Sequence, residues 1–364
     1  MMKYIDEFRD QKLIKKLLKQ IESVAPEKLV NIMEVCGTHT MSFCRFGLAG
    51  IIPKNIKLIA GPGCPVCVSS QEYIDQAIAL AKRPGTIILS FGDMLRVPGT
   101  KTTLEKERAQ GAAVQMLYSP LDSIKIAKSN PDKKVIFLAV GFETTAPTIA
   151  LSIIAAKKDK IRNLSFLSAL KVMPPPMEAI LKDKRINIQG FLCPGHVSAI
   201  IGTKPYEFIP KKYAIGCCIS GFEPVDMLEG IYALLKQIND NAPKVENQYK
   251  RVVPDKGNPR AQKIIARVFQ AADAQWRGLG KIPKSGLKIR KEFAQFDTEK
   301  VFSLTGQPAN RPTGQLKCRC GDVLKGLMSP RECPLFIKVC SPENPLGPCI
   351  VSSEGACNAY YKYR

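Results

Sequence analysis

The sequence predicts an α/β protein with two similar parallel-sheet domains, related by internal duplication, and a small cysteine-rich carboxy-terminal domain. Three observations predict this fold. Eight short apolar runs alternate with helical stretches, motifs in the first half resemble motifs in the second, and the forty residues from Cys318 to Cys357 hold six of the thirteen cysteines. Because such alternation is typical of parallel sheets, we predict domains over residues 1–130, 131–245 and 246–364.

The elements follow the apolar pattern along the chain. An amphipathic helix is predicted over residues 4–22, and the pattern changes after Pro26. The predicted strands are the runs 29–35, 56–61, 86–91, 112–118, 134–140, 164–170, 186–192 and 213–219. Beyond them, helical spacing of apolar residues predicts helices over 224–239 and 259–276, with a connection between the two.

The motifs that follow the strands indicate the duplication. VCGTHT after the first strand corresponds to VGFETT after the fifth, GPGCPVC to KVMPPPM, FGDMLRVPG to FLCPGHVS, and YSPLD to SGFEPVD. The alternative is that βα units resemble one another without a common repeat. Because ligand sites in parallel sheets lie at the carboxyl ends of the strands, we expect these motifs to form the functional site in either case.

The composition excludes some functional classes and leaves others open. The net charge is +22, but the lysines and arginines are spread along the chain and are not interleaved with aromatic residues. This pattern favours a lysine-rich solvated surface over nucleic-acid binding, and an acidic protein partner stays possible. No apolar run approaches the roughly 20 residues of a membrane helix, so we expect a cytoplasmic protein with reduced cysteines that act as metal ligands or redox thiols.

Two cysteine motifs lie near the amino terminus. Cys36 and His39, three positions apart in VCGTHT, can share one metal ion and leave coordination positions open. Cys64 and Cys67 form a CxxC pair before a helix predicted to begin near Ser69, where a helix amino terminus lowers thiol pKa values. The Cys64–Cys67 pair indicates disulfide exchange or soft-metal binding, and the alternative is an inert buried pair. For His39, the alternative to metal binding is a structural role.

Other polar residues on the strand-end loops are candidates for the lining of the same cleft, although a loop-capping role is the alternative for them. These candidates are Thr38, Asp93, Glu143, Thr144 and His196. The cysteines outside these two motifs and outside the carboxy-terminal region are expected to be core thiols, because free cysteine is commonly buried. They are Cys44, Cys193, Cys217 and Cys218.

The carboxy-terminal cysteines have the number and spacing of a metal-organised domain. Cys318, Cys333, Cys340 and Cys357 are separated by 14, 6 and 16 residues, and Cys320 and Cys349 remain as extra thiols. Four thiolates can hold a 4Fe-4S cluster. Structural zinc is the main alternative, but zinc ribbons favour C-x2-4-C pairs. The region has too few apolar residues for a core of its own, so we predict a small iron-sulfur domain.

The combined motifs CGTHT, GPGCPVC, SFGDMLRVPG, GFETTAP, CPGHVS and the tail ECPLFIKVCSPENPLGPCIVSSEGACNAYYKY resemble the HypD family of nickel-iron hydrogenase maturation proteins. The resemblance runs from about residue 29 to the last residue. It implies a scaffold on which iron acquires two cyanides and one carbon monoxide before transfer to the hydrogenase large subunit. It also implies two partners, a HypC-type small chaperone and a HypE-type cyanide donor.

The resemblance also implies roles for individual residues. Cys36 would hold the iron beside His39, and Cys64 and Cys67 would be a redox-active pair that also binds iron. The 4Fe-4S cluster, an electron source for that pair, would be ligated by Cys318, Cys333, Cys340 and Cys357. Two rival hypotheses remain at this point: a cluster-dependent thiol-disulfide oxidoreductase that acts on protein substrates, and a basic zinc module that binds nucleic acid.

Overall fold

The computed structural model describes residues 5–304 and 318–363, so residue 4 of the first predicted helix lies outside the described residues. In these two ranges the strands form two parallel sheets and one antiparallel hairpin. The strands are β1 Val30–Glu34, β2 Ile56–Ala60, β3 Thr86–Ser90, β4 Val114–Met116, β5 Lys134–Gly141, β6 Leu164–Leu170, β7 Gly190–Pro194, β8 Gly216–Ser220, β9 Val245–Asn247, β10 Phe269–Trp276 and β11 Gly280–Ile289. Each of the eight predicted apolar runs contains or overlaps one strand, which confirms the α/β fold class.

The helices lie in the connections between the strands and in parts of the carboxy-terminal region. They are α1 Gln11–Val24, α2 Gly37–Arg45, α3 Gln71–Ala81, α4 Gly92–Leu95, α5 Leu104–Ala109, α6 Asp122–Ser129, α7 Ala146–Lys158, α8 Pro174–Leu181, α9 Gly195–Ile201, α10 Phe208–Tyr213, α11 Pro224–Asn239, α12 Pro259–Val268, α13 Thr298–Val301, α14 Cys320–Leu324, α15 Pro348–Val351 and α16 Ala356–Lys362. The helix predicted over 224–239 is confirmed as α11. None of the helices in the described ranges is both long enough and apolar enough to cross a membrane.

The two parallel sheets have the same topology. The first has the strand order β2-β1-β7-β8-β9, and the second has the order β4-β3-β5-β6. If β9 is set aside, the order in each sheet is second, first, third and fourth along the chain. Two similar parallel-sheet domains are therefore present, as predicted.

The strands assigned to each sheet differ from the prediction. We expected the first four strands to share one sheet and the last four the other, with the division near residue 130. Instead β3 to β6 form one sheet, and they lie in the chain between β2 and β7 of the other. All five residues of β1 are buried, and β1 pairs with β2 on one side and with β7 on the other.

This topology also changes which motifs correspond to each other. By position in the sheets, CGTHT after β1 corresponds to FGDML after β3, and CPGHVS after β7 corresponds to GFETTAP after β5. The predicted correspondence of CGTHT with GFETT was wrong. CGTHT and CPGHVS instead follow neighbouring strands of one sheet, so their side chains meet at a common edge.

The prediction was also wrong in part of the region between 245 and 290. The helix predicted over 259–276 ends at Val268, and the chain continues as β10, which pairs antiparallel with β11. Intermediate burial at Ala272 and Ala274 alternates with exposure at Asp273 and Gln275, a pattern that suits a strand with one covered face. In the predicted connection, residues 245–247 extend the first sheet as β9.

The carboxy-terminal region packs into the main core. Cys349, Ile350 and Cys357 belong to the same buried apolar cluster as Met33 of the first sheet and Ile136 of the second. The six cysteines therefore lie against the parallel-sheet body, and the carboxyl edge of the sheets is within reach of this region.

Candidate functional site

Cys36 lies at the carboxyl end of β1, at the N-cap position of α2. Its backbone N–H donates to Glu34 Oε2 at 3.1 Å, and the cysteine is 7% exposed. Burial, followed by the nearby Glu354 carboxylate, raises the pKa of Cys36 to about 12. Because a bound cation reverses that preference and stabilises the thiolate, this thiol is suited to metal binding more than to free nucleophilic chemistry.

His39 lies one turn further along α2 and is completely buried. Its Nε2 atom is 3.2 Å from the carbonyl oxygen of Ser220 and 2.9 Å from that of Gly221. Burial lowers the pKa of His39 to about 4, so the imidazole is neutral at ordinary pH. The loop after β8 therefore holds the histidine of the CGTHT motif beside Cys36.

Cys64 and Cys67 form a disulfide with a Cα–Cα distance of 5.2 Å. Both are buried, and α3 begins at Gln71 with Ser70 as its N-cap, close to the predicted helix start. The GPG turn before this pair packs directly on the loop that carries Cys36. Gly37 N–H donates to the Gly63 carbonyl at 3.0 Å, and a side chain at Gly63 would overlap the backbone of Cys36. The structure thus brings the CxxC pair and Cys36 together.

Two of the predicted cleft residues contact the carboxy-terminal region. Thr38 Oγ1 donates to Glu354 Oε1 at 3.0 Å. Asp93 Oδ2 accepts from Ser352 Oγ at 3.0 Å and from the Ser353 N–H at 3.2 Å. We call residues 351–354 the anchor segment, because α2 of one sheet and α4 of the other hold it between them.

The other three predicted cleft residues have different environments. Glu143 is buried, and its Oε1 accepts from the Met173 N–H at 2.9 Å. Burial raises the pKa of Glu143 to about 7. Thr144 and His196 are exposed, and the His196 ring stacks on Phe222 with centroids 3.9 Å apart. His196 therefore reaches the same strand-end loop as His39, whereas Glu143 belongs to the edge of the second sheet.

The four predicted cluster ligands surround one small cavity. It is lined by Cys318, Cys320, Cys333, Cys340 and Cys357 together with Leu335, Phe336 and other apolar residues. In residues 5–304 and 318–363, no three His, Cys, Asp or Glu side chains are arranged to hold a single metal ion. A 4Fe-4S cluster distributes four thiolates over separate iron atoms, and the lining of this cavity contains that number of cysteines and one more.

Cys320 and Cys349 are the two carboxy-terminal cysteines outside the predicted ligand set. Cys320 lies with its Sγ 2.9 Å from that of Cys318, and Cys349 is fully buried. Hydrogen bonds from Cys320 and Cys349 lower the pKa of Cys357 to about 6. Both thiols thus contact the predicted ligand set. Cys193, Cys217 and Cys218 are buried in β7 and β8, as expected of core thiols, and Cys44 is half-buried on α2.

Backbone contacts connect the CxxC segment with the cysteine cavity. The Arg277 N–H donates to the Val68 carbonyl at 2.9 Å, and Arg277 Nε donates to the Ser69 carbonyl at 2.8 Å. The next residue, Gly278, packs on Gly321, the neighbour of Cys320. The hairpin β10–β11 therefore bridges the two thiol sites within one apolar core.

A cavity of about 900 Å³ lies away from these thiols. It is bounded by α3, by β6 and by the hairpin, and none of the predicted site residues lines it. The predicted site residues, which are the thiols at the strand ends and in the carboxy-terminal region, therefore lie outside this cavity.

Comparison with known proteins agrees with the arrangement of motifs. The family model described as "HypD: Hydrogenase formation hypA family" matches residues 12–364. The hydrogenase maturation factor HypD of Azotobacter vinelandii is 44% identical over 370 residues, covering 100% of this chain and 97% of the relative. That of Escherichia coli K12 is 41% identical over 375 residues, covering 100% and 98%. The chain therefore belongs to the HypD family, whose members function in hydrogenase maturation.

Proposed function

We propose that this protein is the cytoplasmic scaffold on which the Fe(CN)2CO group of nickel-iron hydrogenases is assembled. The observation that carries the proposal is the position of Cys36. Its buried thiol lies at a strand end against the turn that bears the Cys64–Cys67 disulfide. One iron-binding thiol and a redox pair thus share a single loop cluster.

The three amino-proximal thiols would hold the iron as cargo. Cys36 supplies one thiolate, and reduction of the Cys64–Cys67 disulfide with two electrons and two protons yields two further thiols. Cyanide and carbon monoxide are strong-field ligands that favour low-spin ferrous iron, so the site must be kept reducing. Burial of all three cysteines supports this role, because it excludes water and competing ligands.

Cys318, Cys333, Cys340 and Cys357 would hold the 4Fe-4S cluster. When bound, that group supplies single electrons for the thiol pair. The bridging contacts of Arg277 and Gly278 support the proposal, since they join the CxxC segment to the cysteine cavity.

Partner proteins complete the proposed assembly. A HypC-type chaperone would contribute a further cysteine, a HypE-type protein would donate cyanide, and the hydrogenase large subunit would receive the finished group. We propose no role in nucleic-acid or membrane binding. The net charge of +22 is consistent with docking of acidic protein surfaces.

The proposal is tested by Cys36→Ala in a maturation assay, with Cys44→Ala as the matched control on the same helix. We expect Cys36→Ala to abolish hydrogenase maturation and the infrared bands of bound cyanide and carbon monoxide. The visible absorption of the cluster should persist in both variants. Full maturation by Cys36→Ala would refute the proposed role of this thiol.

A second candidate function is a cluster-dependent thiol-disulfide oxidoreductase, which the Cys64–Cys67 disulfide favours. The purified complex would then show redox exchange with protein disulfides and no cyanide or carbon monoxide bands. Cys340→Ala, compared with the core-thiol control Cys217→Ala, should bleach the brown chromophore. Iron, sulfide and zinc analysis of the same samples separates the cluster from structural zinc.

A further inference from the structure

The two histidines of the chain stack on the same phenylalanine ring. The His39 and Phe222 centroids are 4.7 Å apart with an interplanar angle of 33°, and the His196 and Phe222 centroids are 3.9 Å apart at 26°. Tyr249 supports the edge of the Phe222 ring at 6.0 Å. The ring of Phe222 thus contacts both a buried imidazole from the CGTHT helix and an exposed one from CPGHVS.

Hydrogen bonding defines the tautomer of His39. The Nε2 atom faces the carbonyl oxygens of Ser220 and Gly221, which can only accept, so Nε2 must carry the proton. A second proton on Nδ1 would be buried without an acceptor among the described residues, so Nδ1 has a bare lone pair. Nδ1 is buried and has no hydrogen-bond partner among the described residues.

We infer that Phe222 is a positioning residue for the Cys36 site. Its ring and the two carbonyl oxygens fix His39 in the Nε2–H tautomer and keep the Nδ1 lone pair free for a hydrogen-bond donor or a metal ion. A flat ring stacked on the imidazole resists the ring rotation that would exchange the two nitrogens. His196 stacks on the same Phe222 ring and restricts its movement. This inference rests on the proposed function, since it describes how the iron-binding loop is tuned.

The decisive measurement is the tautomer itself. With two histidines in the chain, ring-15N labelling of the full-length protein gives two imidazole signals, and His39→Gln assigns them. We expect a protonated Nε2 and an unprotonated Nδ1 for His39 at about pH 8. Phe222→Leu should give a mixture of the two tautomers, and Phe222→Tyr should restore the single one. The matched control is Phe46→Leu, because Phe46 at the end of α2 contacts arginines.

Maturation provides a second readout. Loss of a group that orients a metal-site residue typically costs about 10- to 100-fold in activity, so Phe222→Leu should reduce maturation by that factor with unchanged cluster absorption. Phe222→Tyr should remain near wild type. A protonated Nδ1 in the wild-type protein, or one unchanged tautomer in a folded Phe222→Leu variant, would overturn the inference. Normal maturation by Cys36→Ala would refute the proposed function instead and leave the tautomer result intact.

Discussion

Glu143 shows how strongly burial alone can change one side chain. Its Oε1 accepts one backbone hydrogen bond, whereas its Oε2 is buried without a partner among the described residues. Desolvation of the charged form is the largest cause of the raised pKa, about 7 against 4.5. Between about pH 4.5 and about pH 7, Glu143 therefore stays mostly protonated, whereas an exposed glutamate would be ionised.

The stability of the protein should fall as pH rises through this window. Between about pH 4.5 and pH 7 the unfolded carboxyl ionises while the folded one stays protonated, so the folded state binds more protons. At about 1.4 kcal/mol per pKa unit, the contribution is about 3 kcal/mol, lost as pH rises. Glu143→Gln should remove this part of the pH dependence in urea unfolding. The exposed control, Glu105→Gln, should not, and equal slopes in both variants would contradict the assignment.

At the scale of elements, the anchor segment joins three parts of the molecule. Residues 351–354 run from the last residue of α15, which contains Cys349, toward α16, which contains Cys357. Their hydrogen bonds to Thr38 and Asp93 reach both α2 and α4. The segment therefore ties the cysteine cavity to the amino-terminal end of α2, where Cys36 lies.

Gly37→Ala should disturb this connection. A Cβ at Gly37 would overlap the carbonyl oxygen of Glu354, and neither backbone can move freely. Overpacking of this kind costs about 1–3 kcal/mol. The matched control is Gly50→Ala, because nothing lies within 4 Å of a Cβ placed there. We expect lower thermal stability and faster amide exchange over the anchor segment in Gly37→Ala alone. Unchanged exchange would show that α2 does not hold the segment.

At the scale of the whole molecule, local sequence patterns predict the secondary-structure elements better than they predict the long-range contacts between those elements. The strands were predicted because buried parallel strands are short apolar runs, and the CxxC pair was correctly placed before a helix. Sheet membership was missed, since apolar runs do not show which strand pairs with which. The contact of Asp93 with Ser352 spans 259 positions, and no local pattern indicates it. The cysteine spacing does not single out Cys320, because its position in the cavity lining depends on how the chain folds.

The hairpin β10–β11 provides a second connection between the two thiol sites, beside the anchor segment. The Cα atoms of Gly278 and Gly321 are in close contact, with no room for a side chain at Gly278. Gly278 has a φ of +80° and Gly280 has a φ of +77°, so alanine at either position incurs a similar backbone strain. A side chain at Gly280, however, would meet nothing within 4 Å. Comparison of alanine at Gly278 with alanine at Gly280 therefore separates the steric effect of the Gly321 contact from the effect of backbone strain.

Gly278→Ala should separate the hairpin from the segment that carries Cys320, with an additional destabilisation of about 1–3 kcal/mol relative to Gly280→Ala. Electron transfer slows steeply with distance, and this substitution should lengthen the path from the proposed cluster to the Cys64–Cys67 disulfide. Reduction of the disulfide by a one-electron donor, which must deliver two electrons through the cluster, should therefore be slower in Gly278→Ala. Reduction by a dithiol should be unchanged, since a thiolate attacks the disulfide directly. Thiol trapping after timed exposure to each reductant measures both rates. Equal one-electron rates in the two variants would exclude this contact as the connection between the thiol sites.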